Sequence, residues 1–503
     1  MSNPTVPPIG FREKANVGFR EFHNTVKLPF SDIGFSNFEF VARRFGGTNT
    51  LRRIFSLARK LGYRSMLEEK INDDHPSKYA EDEALRKSGQ GFTHSEMYRL
   101  SFFTSLRNVT PTQNEFLGYV VVRTDWYDNK PSWTYVYESV LKPFRTEAQN
   151  NFLHCKRKYQ VANQYGVFEV EGTLYAQQNG ITSICAHVAL RSVLSLLLPA
   201  GDISYSEINR LAGRQPTDTK GLTARQIKNV INGCSHSKQI QARKLDKNYS
   251  YPFSPLLYGY IESGCPALLS FGVKEEEGVG HIVPVLGHTF NEDTWVAEAR
   301  NGYFDSVDYY SSEGWLSTYL IHDDNFGPYQ CIPRGFIDQS RFWNLFGLHY
   351  EGAALWSDRA ESDALEFIKN YVDKCNKDIK DTCLWFDHFI EFGKAQQLVL
   401  RSIFITKTQY LVFLHRWQFE ESLINKLREN LPEFFWMVEV SCPELFSATR
   451  GKFGEVLLTY EKADENSGGT IKPLAMRLPG IVEFSDSTAN RTAIQFYTPL
   501  LQN

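Results

Sequence analysis

Cys185 sits where a polar, glutamine-rich approach, YAQQNGITSIC, runs into the apolar stretch AHVALRSVLSLLL. Val188, Ala189, Val193, Leu196 and Leu197 recur at spacings near three and four, which predicts a buried helix with the thiol in its first turn. Unpaired amides and the macrodipole at a helix start stabilise a thiolate, so a sulfur placed there becomes a usable nucleophile at neutral pH. Cysteine can equally serve as a small buried hydrophobe, and the neighbours of Cys185 decide between the two roles. Gln178 lies seven residues upstream, on a loop-like approach with Asn179 and Gly180. Its amide could donate to the oxygen that becomes negative when a thiolate attacks a carbonyl.

Such a nucleophile needs an imidazole to exchange its proton and a third group to orient that imidazole. GVGHIVPVLGHTF, residues 278–290, reads as a glycine-bounded strand with His281 at its entrance. STYLIHDDNFGPY, residues 317–329, reads as a second strand ending in Asp323 and Asp324 before a Gly-Pro turn. If the two strands are neighbours, an aspartate falls beside the imidazole.

The order cysteine, histidine, acid resembles the papain-like cysteine peptidases, and is most similar to the compact branch that includes the bacteriocin-leader-cleaving domains of export transporters. QQNGITSICAHVAL, GHIVPVLGH and LIHDDNFGPY carry the resemblance, which covers residues 170–335. It implies an α+β fold with a papain-like core, the nucleophile on a helix, the base on a sheet and no cofactor. It further implies Cys185 as nucleophile, His281 as general base and acid, Asp323 as orienting residue, and Gln178 with the Cys185 amide as oxyanion donors.

The chain departs from that pattern in three places. The glutamine stands seven rather than six residues before the cysteine, which leaves Gln177, Gln178 and Asn179 all open as oxyanion donors. Asp324 replaces the usual proline. Residues 291–314 look like an insertion between histidine and acid, so Glu298 and, more weakly, Asn301 rival the aspartates as orienting residues.

Other candidates carry less chemistry. His187 would project roughly 200° around the helix from Cys185, too far to act as its base. His288 falls on the opposite strand face from His281 by period-two alternation, unless Pro284 makes that strand irregular or an edge. His322, Asp323 and Asp324 suggest metal ligands, but no second cluster of matching spacing lies nearby. Cys234 and Cys265 lack a glutamine-bearing approach and read as structural, and His388 and His415 read as core or surface histidines.

At 503 residues the chain exceeds one ordinary core. The expected division is a mainly helical N-terminal region with strands over 1–145, the peptidase-like domain over 146–337, and a C-terminal α/β domain over 338–503. A net charge of −3 gives no electrostatic case for nucleic acid or anionic membranes. Eight cysteines without a paired framework suit a reducing, cytoplasmic setting, and no apolar run is long enough to span a bilayer. Helices are expected over TNTLRRIFSLARKLG, HPSKYAEDEALRKSG and THSEMYRLSFFTSL, and later over SDALEFIKNYVDKC and QFEESLINKLREN. Strands are expected over FLGYVVVRTDW, LVLRSIFIT, QYLVFLHRW, FWMVEVS and EVLLTYEKA, and the proline-rich first ten residues are expected to lack structure. The chemistry expected is hydrolysis of a peptide or isopeptide bond in a protein substrate, with the flanking regions selecting substrates or a regulatory partner. Thiol-based acyl transfer, glutamine deamidation and an inactive scaffold or sensor are the alternatives.

Overall fold

A computed structural model describes residues 15–16, 22–29, 36–104, 111–143, 151–153, 155–181, 184–215, 218, 221–234, 240–246, 253–272, 280–290, 309–336, 341–350, 357–374, 384–394, 397–416, 419–461, 470–479, 481–484 and 492–494. Helices pack against sheets that are antiparallel apart from two short parallel pairs, the mixture of an α+β chain.

The N-terminal layer is a five-stranded antiparallel meander: Phe22–Pro29, Ser65–Ile71, Phe92–Phe103, Phe116–Tyr127 and Lys130–Leu141. Helices Asn49–Lys60 and Pro76–Lys87 form where their signals predict. Thr48 accepts from the Leu51 amide at the first, and Pro76 opens the second behind His75. The expected helix over 93–106 is instead the strand Phe92–Phe103, so the region is not mainly helical. Leu100 and Phe102 pack to one side while Met97 and Phe103 pack to the other, and burial of both faces hides the alternation that marks a strand.

Arg99, on this strand, is fully buried and pairs with the equally buried Glu69 at 2.7 Å while donating to the Ala162 carbonyl of the next hairpin. Removing one partner of such a pair strands a charge without solvent. Arg99→Met is therefore expected to cost about 3–5 kcal/mol of stability. Chemical denaturation checks it, and a midpoint unchanged from wild type would refute it.

The central sheet runs in the order Ile240–Asp246, Phe342–Tyr350, Ala267–Gly272, Gly280–Phe290, Leu316–Asp323, Gly327–Pro333, with Asn151–Leu153 pairing beside Gly280–Phe290. Period-two alternation sends its two faces into different cores. Leu268, Ile282 and Leu286 pack with Val188 and Ala189 of helix Cys185–Leu197, whereas Leu269, Val283 and Val285 pack with Leu257 and Ile261 of helix Phe253–Glu262. Pro284 does not make Gly280–Phe290 an edge, since neighbours flank it on both sides. The strand toward 316–323 pairs only from Val285 onward, through a register shift, which spares the proline a donor it lacks. Strand Phe342–Tyr350 lies inside this sheet, so the sheet runs past residue 337, where the sequence placed a boundary.

A third sheet joins Tyr310–Ser311, Val399–Thr406, Phe434–Ser441, Gly454–Glu461, Thr470–Leu478, Ile481–Phe484 and Thr492–Ile494. The helices expected over 362–375 and 418–430 are present as Ser357–Lys374 and Glu421–Asn430. The expected strand QYLVFLHRW is instead helix Lys407–Arg416. Thr406 and Gln409 cap it reciprocally, Gln409 N–H donating to Thr406 Oγ1 and Thr406 N–H to Gln409 Oε1. That Thr-x-x-Gln spacing is a helix start in the sequence, masked by the β-type residues that follow it. No helix among the described residues is long and apolar enough to cross a membrane.

Candidate active site

Cys185 is the first residue of helix Cys185–Leu197, half-buried at its N-terminus. The N-cap, Ile184, supplies no side-chain hydrogen bond; its carbonyl takes the His187 and Val188 amides, and the Cys185 and Ala186 amides have no side-chain cap. The helix packs on strand Gly280–Phe290, which brings the thiol to the strand entrance where His281 stands. Gly280 matters to that entrance: a Cβ there would lie 2.0 Å from Cζ3 of Trp343, so glycine lets the half-buried indole lie against the strand beside the base.

Gly280–Phe290 and Leu316–Asp323 are antiparallel neighbours, and the acid does fall beside the imidazole. His281 Nε2 lies 3.1 Å from Asp323 Oδ2 and 3.5 Å from Asp324 Oδ1, and the Cys185 thiol is near enough to help raise the pKa of the ring. With Nε2 committed to the carboxylates, Nδ1 is the ring atom left to exchange a proton with sulfur. Burial works against a charge on His281, but its bonds to Asp323 and Cys185 and the fields of both aspartates carry its pKa up to about 10. That shift favours the protonated imidazole at neutral pH.

The two aspartates differ. Asp323 Oδ1 accepts the amides of Asn325 and Phe326, and these bonds with the His281 cation outweigh burial and lower its pKa. Asp324 is more buried and its Oδ2 has no hydrogen-bond partner; burial, aided by the charge of Asp323, raises it to about 6. Asp323 is thus the permanently ionised partner. Glu298 and Asn301 lie outside the described residues.

The three candidate amides separate cleanly. Gln177 Oε1 accepts the Val136 amide at 3.0 Å, and Asn179 donates to buried Glu81 at 2.7 Å while accepting the Ile181 amide at 2.8 Å. Among the described residues, the Gln178 side chain makes a long 3.4 Å contact, to the Asn325 side chain of the acid turn. It is the amide of the three that can turn toward a substrate with little to give up.

The other sequence candidates stand elsewhere. His187 bonds Asn209 at 2.9 Å, and burial lowers its pKa. His288 pairs with Glu262, which also binds Arg401 at 2.9 Å in a buried bridge to the third sheet. His322 points away from its neighbours in sequence, into an aromatic pocket between Tyr175 and Tyr329, where burial pushes its pKa down to about 3. Cys234 and Cys265 are buried and raised to about 12. His281, Asp323 and Asp324 have donor atoms within 4.8 Å of one another, so they, rather than His322, are the group that could hold a metal. A protonated imidazole opposes a cation there.

Two residues that shape the site carry no sequence signal. Tyr175 donates from its hydroxyl toward the Asp323 and Asp324 carbonyls, and Arg53, on helix Asn49–Lys60, donates to those of Pro328 and Tyr329. Together they hold the acid turn from behind. No protein-family model matches this chain, and no curated protein or solved structure matches it.

Proposed function

We propose that the chain is a cysteine-dependent hydrolase of papain-like design, acting on a peptide or isopeptide bond. The observation that carries this reading is one imidazole bonded to Asp323 and standing within electrostatic reach of a thiol at a helix start. Cys185 sulfur attacks the carbonyl carbon. The resulting oxyanion takes hydrogen bonds from the Cys185 amide and the Gln178 side chain. His281, protonated at rest, delivers its proton to the leaving amine as the acyl-enzyme forms, then draws a proton from water so that hydroxide cleaves the thioester and frees Cys185. Asp323 keeps Nε2 of the ring hydrogen-bonded throughout, which fixes the ring plane. Phe326, 60 % exposed in the acid turn, and Trp343, against Gly280, offer apolar surface to a substrate side chain.

Mapping new protein N-termini in cells expressing wild type or Cys185→Ala tests the reaction class. Termini that appear only with wild type are expected. Their absence, with thiol reactivity retained, would replace hydrolysis by acyl transfer or deamidation, where a different nucleophile or a side-chain amide enters the same cycle.

A further inference from the structure

The N-terminal layer touches the helix that carries Cys185, the glutamine-bearing approach and the acid turn. From strand Lys130–Leu141, Glu138 Oε2 takes a 2.7 Å hydrogen bond from Arg191 of the nucleophile helix, and the Tyr137 carbonyl another at 3.0 Å. The same strand bridges Ser139 to Tyr175 and binds both the backbone and the side chain of Gln177 through Val136. Arg53 holds the acid turn. Helix Pro76–Lys87 adds Glu81, whose buried carboxylate accepts Asn179 Nδ2 at 2.7 Å. Asn179 in turn fixes the Ile181 amide across Gly180, which stands at φ +75°.

We propose that the N-terminal layer is a positioning platform for catalysis, and that Glu81 is the positioning residue that sets the oxyanion loop. Asn179 is 4 % exposed, so water cannot replace the carboxylate when it is removed. The turn from Asn179 to Ile181 would then lose its anchor, and Gln178, next to that anchor, would no longer be held where an oxyanion forms. The thiol–imidazole pair depends on other elements and stays intact. A loss confined to transition-state hydrogen bonding lowers kcat and leaves KM nearly unchanged. This rests on the hydrolase reading above for its kinetic half, but not for its structural half.

The full chain is compared as wild type, Glu81→Ala and Glu81→Gln, with three readouts. Hydrogen exchange over residues 176–190 is expected to speed at least tenfold in Glu81→Ala and to recover in Glu81→Gln, whose amide oxygen can still accept from Asn179. Turnover of p-nitrophenyl acetate is expected to lose at least tenfold in kcat in Glu81→Ala with KM unchanged, while iodoacetamide alkylates Cys185 at the wild-type rate. Unchanged exchange in Glu81→Ala overturns the proposal, as does exchange that speeds equally throughout the chain, which would mark a merely destabilised fold. A wild type with no Cys185-dependent turnover overturns the hydrolase reading instead, and the exchange data still decide the role of Glu81.

Discussion

Cys185→Ala is expected to lose all labelling by an electrophilic peptide-mimetic probe that labels the wild-type chain at a single site, and to lose hydrolysis by a factor of about 10⁴ or more. The size follows from chemistry: alanine offers no atom that can form a covalent acyl intermediate, and water held at the same place lacks both the reactivity and the low desolvation cost of a thiolate. The buried cysteines cannot substitute. Cys155, Cys234 and Cys265 are all raised by burial, and Cys442 is raised to about 11, so they stay protonated and slow. Exposed Cys331 is the internal control, because its alkylation by iodoacetamide, added after the probe, should be the same in both proteins. Mass spectrometry of the labelled peptides reads both sites at once. Labelling that persists at wild-type level in Cys185→Ala would remove Cys185 from the mechanism.

The second large effect is expected at Asp323. The folded pKa of His281, about 10, stands above its ordinary 6.5, so the stabilisation that its proton contributes is complete below 6.5 and is lost as pH rises through about 10. Asp323 has the opposite sign: its pKa is lowered from 3.8, so its contribution is present above 3.8 and is lost as pH falls through the folded value. The ion pair is therefore intact across neutral pH and fails on the alkaline side first at His281. For wild type, kcat/KM should fall on an alkaline limb near pH 10, as His281 loses its proton. Asp323→Asn keeps the shape but removes the charge. It should move the limb down toward 6.5 and lower kcat/KM about 10²–10⁴-fold. Asp324→Asn should do much less, since that carboxyl, at about 6, is already the weaker anion and makes the longer contact. A pH–rate profile of the three proteins checks this, and an unmoved limb in Asp323→Asn would rule out Asp323 as the orienting acid.

The pieces of the candidate site were legible because each is local. A cysteine at the head of an apolar helical stripe, a histidine after a glycine and an acid at a strand end all announce themselves within a dozen residues. Distant partners are a different kind of fact. Glu81 meets Asn179 and Arg53 meets the acid turn only because the sheet of the first 141 residues lies against the nucleophile helix, and nothing near either residue says so. The same limit explains the misread elements. In Phe92–Phe103 both faces are covered, which erases periodicity, and in Lys407–Arg416 a two-residue capping signal outweighs a run of Tyr, Val and Phe. The sheet order of the middle region could not be read either, because its second strand arrives last in the chain.

That late arrival, Phe342–Tyr350, closes two ladders at once, against Ile240–Asp246 and against Ala267–Gly272. Cutting the chain at residue 337 to isolate a catalytic piece would unzip both and leave a pair of raw backbone margins, each a template for a stranger's strand. The natural unit of synthesis and folding for this molecule is accordingly one that keeps the ribosome at work past Tyr350 before the middle layer can close.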